Sequence, residues 1–79
     1  MKISQAVSKK LIKICKERDL SINRLAMVSC LTQSTVENII AGNSKNPKLL
    51  TIVRICDGLD LSLAEFFDDD LFRYIDRED

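Results

Sequence analysis

The sequence predicts an all-α fold of five helices followed by a short acidic C-terminal extension. Three observations carry that prediction. Apolar residues recur at helical spacing from Ile3 to Phe67, and no stretch alternates in the manner of a strand. Residues that start and stop helices, Ser21, Thr32, Gly42, Pro47 and Ser62 among them, fall between those stretches. The connections are short, which favours a bundle of packed helices.

The first helix is expected from about Ser4 to Arg18. Ile3, Val7, Leu11 and Ile14 share one face, and Lys9, Lys10, Lys13 and Lys16 occupy the other sides. The second runs from Ile22 to about Ser29, with Ser21 as its cap and Leu25 and Ala26 on one face. Cys30 and Leu31 fall in a tight turn. The third helix spans Gln33 to Ala41, capped by Thr32 and ended by Gly42. Val36, Ile39 and Ile40 form its buried side, leaving Gln33, Ser34, Glu37 and Asn38 on the outer side. For the fourth helix, Asn46 is the expected cap and Pro47 the first-turn residue, since a missing N–H costs nothing there. Leu49, Leu50, Ile52, Val53 and Cys56 follow on that helix. Ser62 and Glu65 form a capping box opening the fifth, with Phe66 and Phe67 facing inward.

Seventy-nine residues hold one core. The organisation expected is one domain over 1–67 and an acidic tail over 68–79. A chain this short buries only about 60–65% of its unfolded surface, so its stability margin is modest. No apolar run approaches the roughly 20 residues of a membrane span, and MKISQAVSKK has no signal-peptide core. A cytoplasmic protein with no membrane contact is expected.

Cys15, Cys30 and Cys56 make an odd count without a close pair, and histidine is absent. A Cys/His zinc site is therefore excluded, and reduced thiols are the expected state. No metal or cofactor is expected. Neither is an enzyme: the tyrosine and the cysteines lack neighbouring bases, the carboxylates sit in caps or charge runs, and two glycines cannot build a phosphate loop.

The formal net charge is zero, but it is unevenly spread. Met1 to Phe67 carries ten Lys and Arg against six Asp and Glu, and Asp68 to Asp79 carries two against six. A body of +4 with a tail of −4 can attract a polyanion where the total suggests it would not. A single copy at +4 binds nucleic acid weakly, and dimerisation is the usual remedy.

Residues 21–41 thus form two short helices joined by a tight turn, the second presenting amides and hydroxyls outward. That arrangement fits the DNA major groove. Backbone amides at the start of the second helix, at Ile22 and Asn23 after Ser21, are placed to meet a phosphate. Thr32 stands at the start of the third.

From about Val7 to Phe67 the pattern resembles the lambda repressor and Cro type of helix-turn-helix domain, the XRE-like family. The resemblance rests on Leu25-Ala26, the turn, Thr32, Val36, Ile39, Gly42, Pro47, Ile52, Leu59-Asp60-Leu61-Ser62 and Phe66. It implies a five-helix lambda-repressor-like DNA-binding domain whose third helix enters the groove, in a dimer reading two half-sites about one DNA turn apart. The base-reading positions then correspond to Gln33, Ser34 and Asn38, with Thr35 and Glu37 as helpers. Glutamine and asparagine suit adenine, because one amide both donates to N7 and accepts from N6. Glu37 can accept from a cytosine amine but repels phosphate. No arginine lies on the third helix, which argues against strong guanine reading. The loop with Asn43, Ser44, Lys45 and Lys48 corresponds to the family's second backbone grip. Lys9, Lys10 and Lys13 are either further phosphate contacts or solubilising charges. The resemblance also places a dimer contact near the fourth and fifth helices, making Leu63, Phe67, Leu71, Phe72 and Ile75 its candidates.

The chain departs from the family in several places. Asp19, Cys30 and Asp60 stand where glycine is usual, at positions that tend to need positive φ. Cys15 and Ile40 replace an arginine–glutamate pair, which predicts an apolar contact in place of an ion pair. Met27, Val28 and Ile12 stand at positions usually polar, as scattered surface hydrophobes or as a protein-binding patch. For the tail three readings stand: a sixth short helix packed back or forming a dimer seam, a partner-binding segment, or a frayed acidic strand competing for the basic face.

The function expected is a sequence-specific DNA-binding regulator, a repressor acting as a homodimer on double-stranded DNA. The alternative is a protein-interaction module, antitoxin-like or a regulatory subunit, that uses the same fold to hold a partner.

Overall fold

The computed structural model describes residues 1–77, so 78–79 of the expected tail lie outside the described residues. Helices follow as α1 (Ile3–Arg18), α2 (Ile22–Ser29), α3 (Gln33–Ile40), α4 (Leu49–Leu59) and α5 (Leu63–Phe67), then a 3₁₀ turn over Asp70–Phe72. No strand occurs among the described residues.

The stops are as informative as the starts. Four helices end in the Schellman arrangement, in which one residue adopts the left-handed conformation and its own amide and the next return to the last turn. At the end of α2 the Cys30 N–H bonds Met27 O and the Leu31 N–H bonds Ala26 O. Asp19 and Leu20 close α1 in the same way, Gly42 and Asn43 close α3, and Asp60 and Leu61 close α4. The residues after three of these turns, Leu20, Leu31 and Leu61, are apolar and pack against the core, which fixes the angle at which the chain leaves.

Asp19, Cys30 and Asp60 therefore have φ of 54°, 56° and 57°. Aspartate tolerates this region and cysteine does so at about 1 kcal/mol or more. Cys30→Gly is expected to stabilise the fold by about 1 kcal/mol, read as a rise in melting temperature; an unchanged melt would show that the turn holds no such strain.

The fourth helix corrects its expected start. It begins at Leu49 with Lys48 as its cap residue, not at Pro47 behind Asn46. Lys48 is extended, with φ −64° and ψ 137°, and its side chain makes no capping bond. Pro47 stands one position before the cap and is half-buried, while Ile52 is buried. That is the spacing of a hydrophobic staple, which a proline serves as readily as it serves a first turn.

The core gathers Leu11 and Ile14 of α1, Leu25 of α2, Val36 of α3, Ile52, Ile55 and Leu59 of α4, and Phe66 of α5. α1 also reaches the carbonyl ends of two other helices. The buried Ser8 hydroxyl donates to Ile40 O at the end of α3, and Arg18 Nη1 donates to Leu59 O at 2.5 Å at the end of α4. Both satisfy carbonyls that a helix leaves unpaired, and the arginine also suits the negative end of the helix dipole. α4 in turn packs closely on α2, where Gly58 faces the Val28 and Ser29 backbone.

Candidate functional site

α2 and α3 are held at a fixed angle by their buried residues. Leu25, Ala26, Val36 and Ile39 are all at most 4% exposed. Capping sets where each helix begins: Ser21 Oγ accepts from the Arg24 N–H at 3.0 Å, and Thr32 Oγ1 from the Thr35 N–H at 3.2 Å. With Val36 and Ile39 turned inward, Gln33, Ser34, Glu37 and Asn38 span an arc of about 140° on the opposite side of α3. All four are exposed.

Two of the expected helpers differ in what they offer. Thr35 is half-buried, and its hydroxyl lies 2.7 Å from Thr32 Oγ1, so it belongs to the cap. Glu37 Oε1 accepts from Gln33 Nε2 at 2.9 Å. Of the residues expected to meet phosphate, Asn23, Asn43, Lys45 and Lys48 are exposed and Ser44 is half-buried. Ile22 packs against the core, which leaves its backbone amide as the group it can present. Arg24, not singled out in the sequence, is exposed in the first turn of α2 next to Asn23. Its only signal in the sequence is a positive charge three residues after the capping Ser21.

The tail packs back on the molecule. Asp69 Oδ2 accepts from Lys10 Nζ at 3.0 Å and from Lys13 Nζ at 3.1 Å. Its other oxygen takes the Leu71 N–H at 3.0 Å and so opens the 3₁₀ turn. The backbone bond, followed by the two lysines, holds the Asp69 carboxyl far below the usual carboxylate range. Lys13 is raised in turn, first by that hydrogen bond. Lys10 and Lys13 are thus engaged by the chain's own carboxylate. Phe66, Phe67 and Phe72 form an aromatic trio with ring centroids 4.9–5.9 Å apart. Leu71, Phe72 and Ile75 are half-buried, Leu63 is 37% exposed, and Tyr74 is 80% exposed.

Helical geometry places this tail relative to α3. Lys10 and Lys13 lie about 160° and 140° around the α1 axis from Ser8. Ser8 bonds the end of α3, whereas Lys10 and Lys13 bond the tail. α1 therefore stands between Asp69 and the end of α3.

Cys15 and Ile40 are half-buried and line one groove with Ile12, Lys16, Asp19, Leu20 and Ile22. Burial pushes the Cys15 and Cys56 thiols up, so both rest protonated. Among the described residues no cluster of three metal-ligating side chains occurs, and no helix is long and apolar enough to cross a membrane.

Residues 10–75 match the family described as the Cro/C1-type HTH DNA-binding domain. A structure titled "Crystal structure of the prophage Lp1 protein 11" superposes with a TM-score of 0.80 at 36% sequence identity, covering 95% of this chain and 100% of that one. No curated protein matches the chain.

Proposed function

Because the chain belongs to the Cro/C1-type helix-turn-helix DNA-binding family, we propose that it is a cytoplasmic, sequence-specific transcriptional repressor that inserts α3 into the major groove as a homodimer. The observation that carries this reading is the outer edge of α3. Gln33, Ser34 and Asn38 are exposed on a helix whose other side is locked in the core. Such an edge supplies donors and acceptors for bases without reorganisation.

Phosphates are held around it by the Ile22 and Asn23 amides behind Ser21, by Thr32, and by Asn43, Ser44, Lys45 and Lys48, to which Arg24 is added. These contacts position the domain, and the α3 side chains specify the site. The dimer seam is proposed around Leu63, with the outer edges of Phe67, Leu71, Phe72 and Ile75 beside it. Residues 1–67 act as the binding domain and 68–79 as its extension, and repression follows when the bound dimer blocks polymerase.

Salt dependence tests the reading. If Arg24, Lys45 and Lys48 of both copies each neutralise one phosphate, log affinity falls with log salt at a slope of about −5. That is about a thousandfold between 50 and 200 mM, measured by anisotropy on a duplex selected from a random pool. The exposed Met27, Leu49 and Leu50 favour the rival reading, a surface that holds another protein. Binding that is flat in salt, on a protein partner rather than on a duplex, would select that rival.

A further inference from the structure

Glu37 stands one turn after Gln33 on the outer side of α3, and the two side chains meet at 2.9 Å through Gln33 Nε2 and Glu37 Oε1. An ionised carboxylate only accepts hydrogen bonds. The carboxamide of Gln33 must therefore turn its nitrogen, not its oxygen, toward Glu37. One amide hydrogen is engaged by that bond. One N–H and the carbonyl oxygen remain for another partner.

We infer that Glu37 is a positioning residue that restricts Gln33 to adenine and excludes guanine, an inference that rests on the DNA-binding reading above. The two purines differ in what they show in the major groove. Adenine offers an acceptor at N7 and a donor at N6, whereas guanine offers acceptors at both N7 and O6. An unrestrained glutamine meets either: it uses one hydrogen and its oxygen for adenine, or both amide hydrogens for guanine. Gln33 bonded to Glu37 has a single hydrogen left, which satisfies adenine fully and guanine only by half. The carboxylate adds to this, because its charge opposes the two acceptors of guanine and not the N6 donor of adenine. Glu37 thus contacts no base itself. Its negative charge, a liability toward phosphate, is retained for what it does to its neighbour.

Both side chains are exposed, so their replacement leaves the core intact. The test is selection of bound sites from a random duplex pool with the unaltered protein and with Gln33→Ala, Glu37→Ala and Glu37→Gln. Gln33→Ala identifies the read position as the one where adenine preference disappears. At that position Glu37→Ala is expected to lower the adenine-to-guanine ratio about tenfold. Glu37→Gln, whose amide can still accept the bond but can also donate to the Gln33 oxygen and carries no charge, is expected to give a ratio between those of the parent and Glu37→Ala. A general rise in affinity from removing a negative charge moves all sequences together and leaves the ratio unchanged. The inference is overturned if Glu37→Ala keeps the ratio, or if it changes preference at a different position, which would make Glu37 a base contact. If the unaltered protein enriches no site, the DNA-binding reading falls first and takes this inference with it.

Discussion

Gly58→Ala is expected to destabilise the protein by about 3 kcal/mol, where helix propensity alone predicts a gain of about 1 kcal/mol. A Cβ built at Gly58 lies 2.4 Å from Val28 O, 2.7 Å from the Val28 carbonyl carbon and 2.9 Å from Ser29 N. All three atoms are backbone, so no rotamer change relieves the overlap. α4 must move away from the end of α2, or α2 must shorten. The loss is a large fraction of the roughly 4–12 kcal/mol expected for a domain of this length. Urea titration of the two proteins gives the sign directly: a higher midpoint for the alanine variant would mean that the helices do not approach as described. A loss should extend to DNA affinity, since the same segment of α2 leads into the turn that places α3.

This glycine shows what a sequence read alone conveys and what it does not. The limits of α2 and the start of α3 were legible because Ser21 and Thr32 act on amides three residues away, a purely local event. The left-handed turns at Asp19, Cys30 and Asp60 were legible by resemblance, although none is glycine. The exposed edge of α3 followed from helical spacing. Other features depend on partners distant in the chain. Gly58 looks like a mild helix breaker until α2 is set against it. Lys10 and Lys13 look like free cations until Asp69, more than fifty residues later, is folded onto them. Ser8 and Arg18 carry no motif that announces the helix ends they satisfy. Pro47 is ambiguous because proline suits both the first helical position and the one before the cap, and only the backbone of Lys48 decides between them. Arg24, a lone arginine on a short helix, has no pattern around it that marks a role.

The double variant Gln33→Ala/Asn38→Ala is expected to keep its fold and to lose its choice of site. Both positions are exposed and carry no core packing, so melting should change by less than about 0.5 kcal/mol. Each bidentate amide contact discriminates against a wrong base by about 1–3 kcal/mol. Removing two, in both copies of a dimer, is expected to reduce the ratio of specific to random-sequence affinity by a hundredfold or more. Random-sequence affinity itself should hardly move, because Arg24, Lys45, Lys48 and the α2 amides remain to meet phosphates. Competition binding with the selected duplex and with random duplex, at one salt concentration, separates these two quantities. If phosphate contacts alone guided the protein, the double variant and the parent would show the same ratio. If the α3 edge faced only solvent, the parent would show no ratio to lose. A large fall in that ratio, with folding and random-sequence binding intact, requires that base reading reside in the exposed amides of α3 and that the basic residues around it only hold the helix in place.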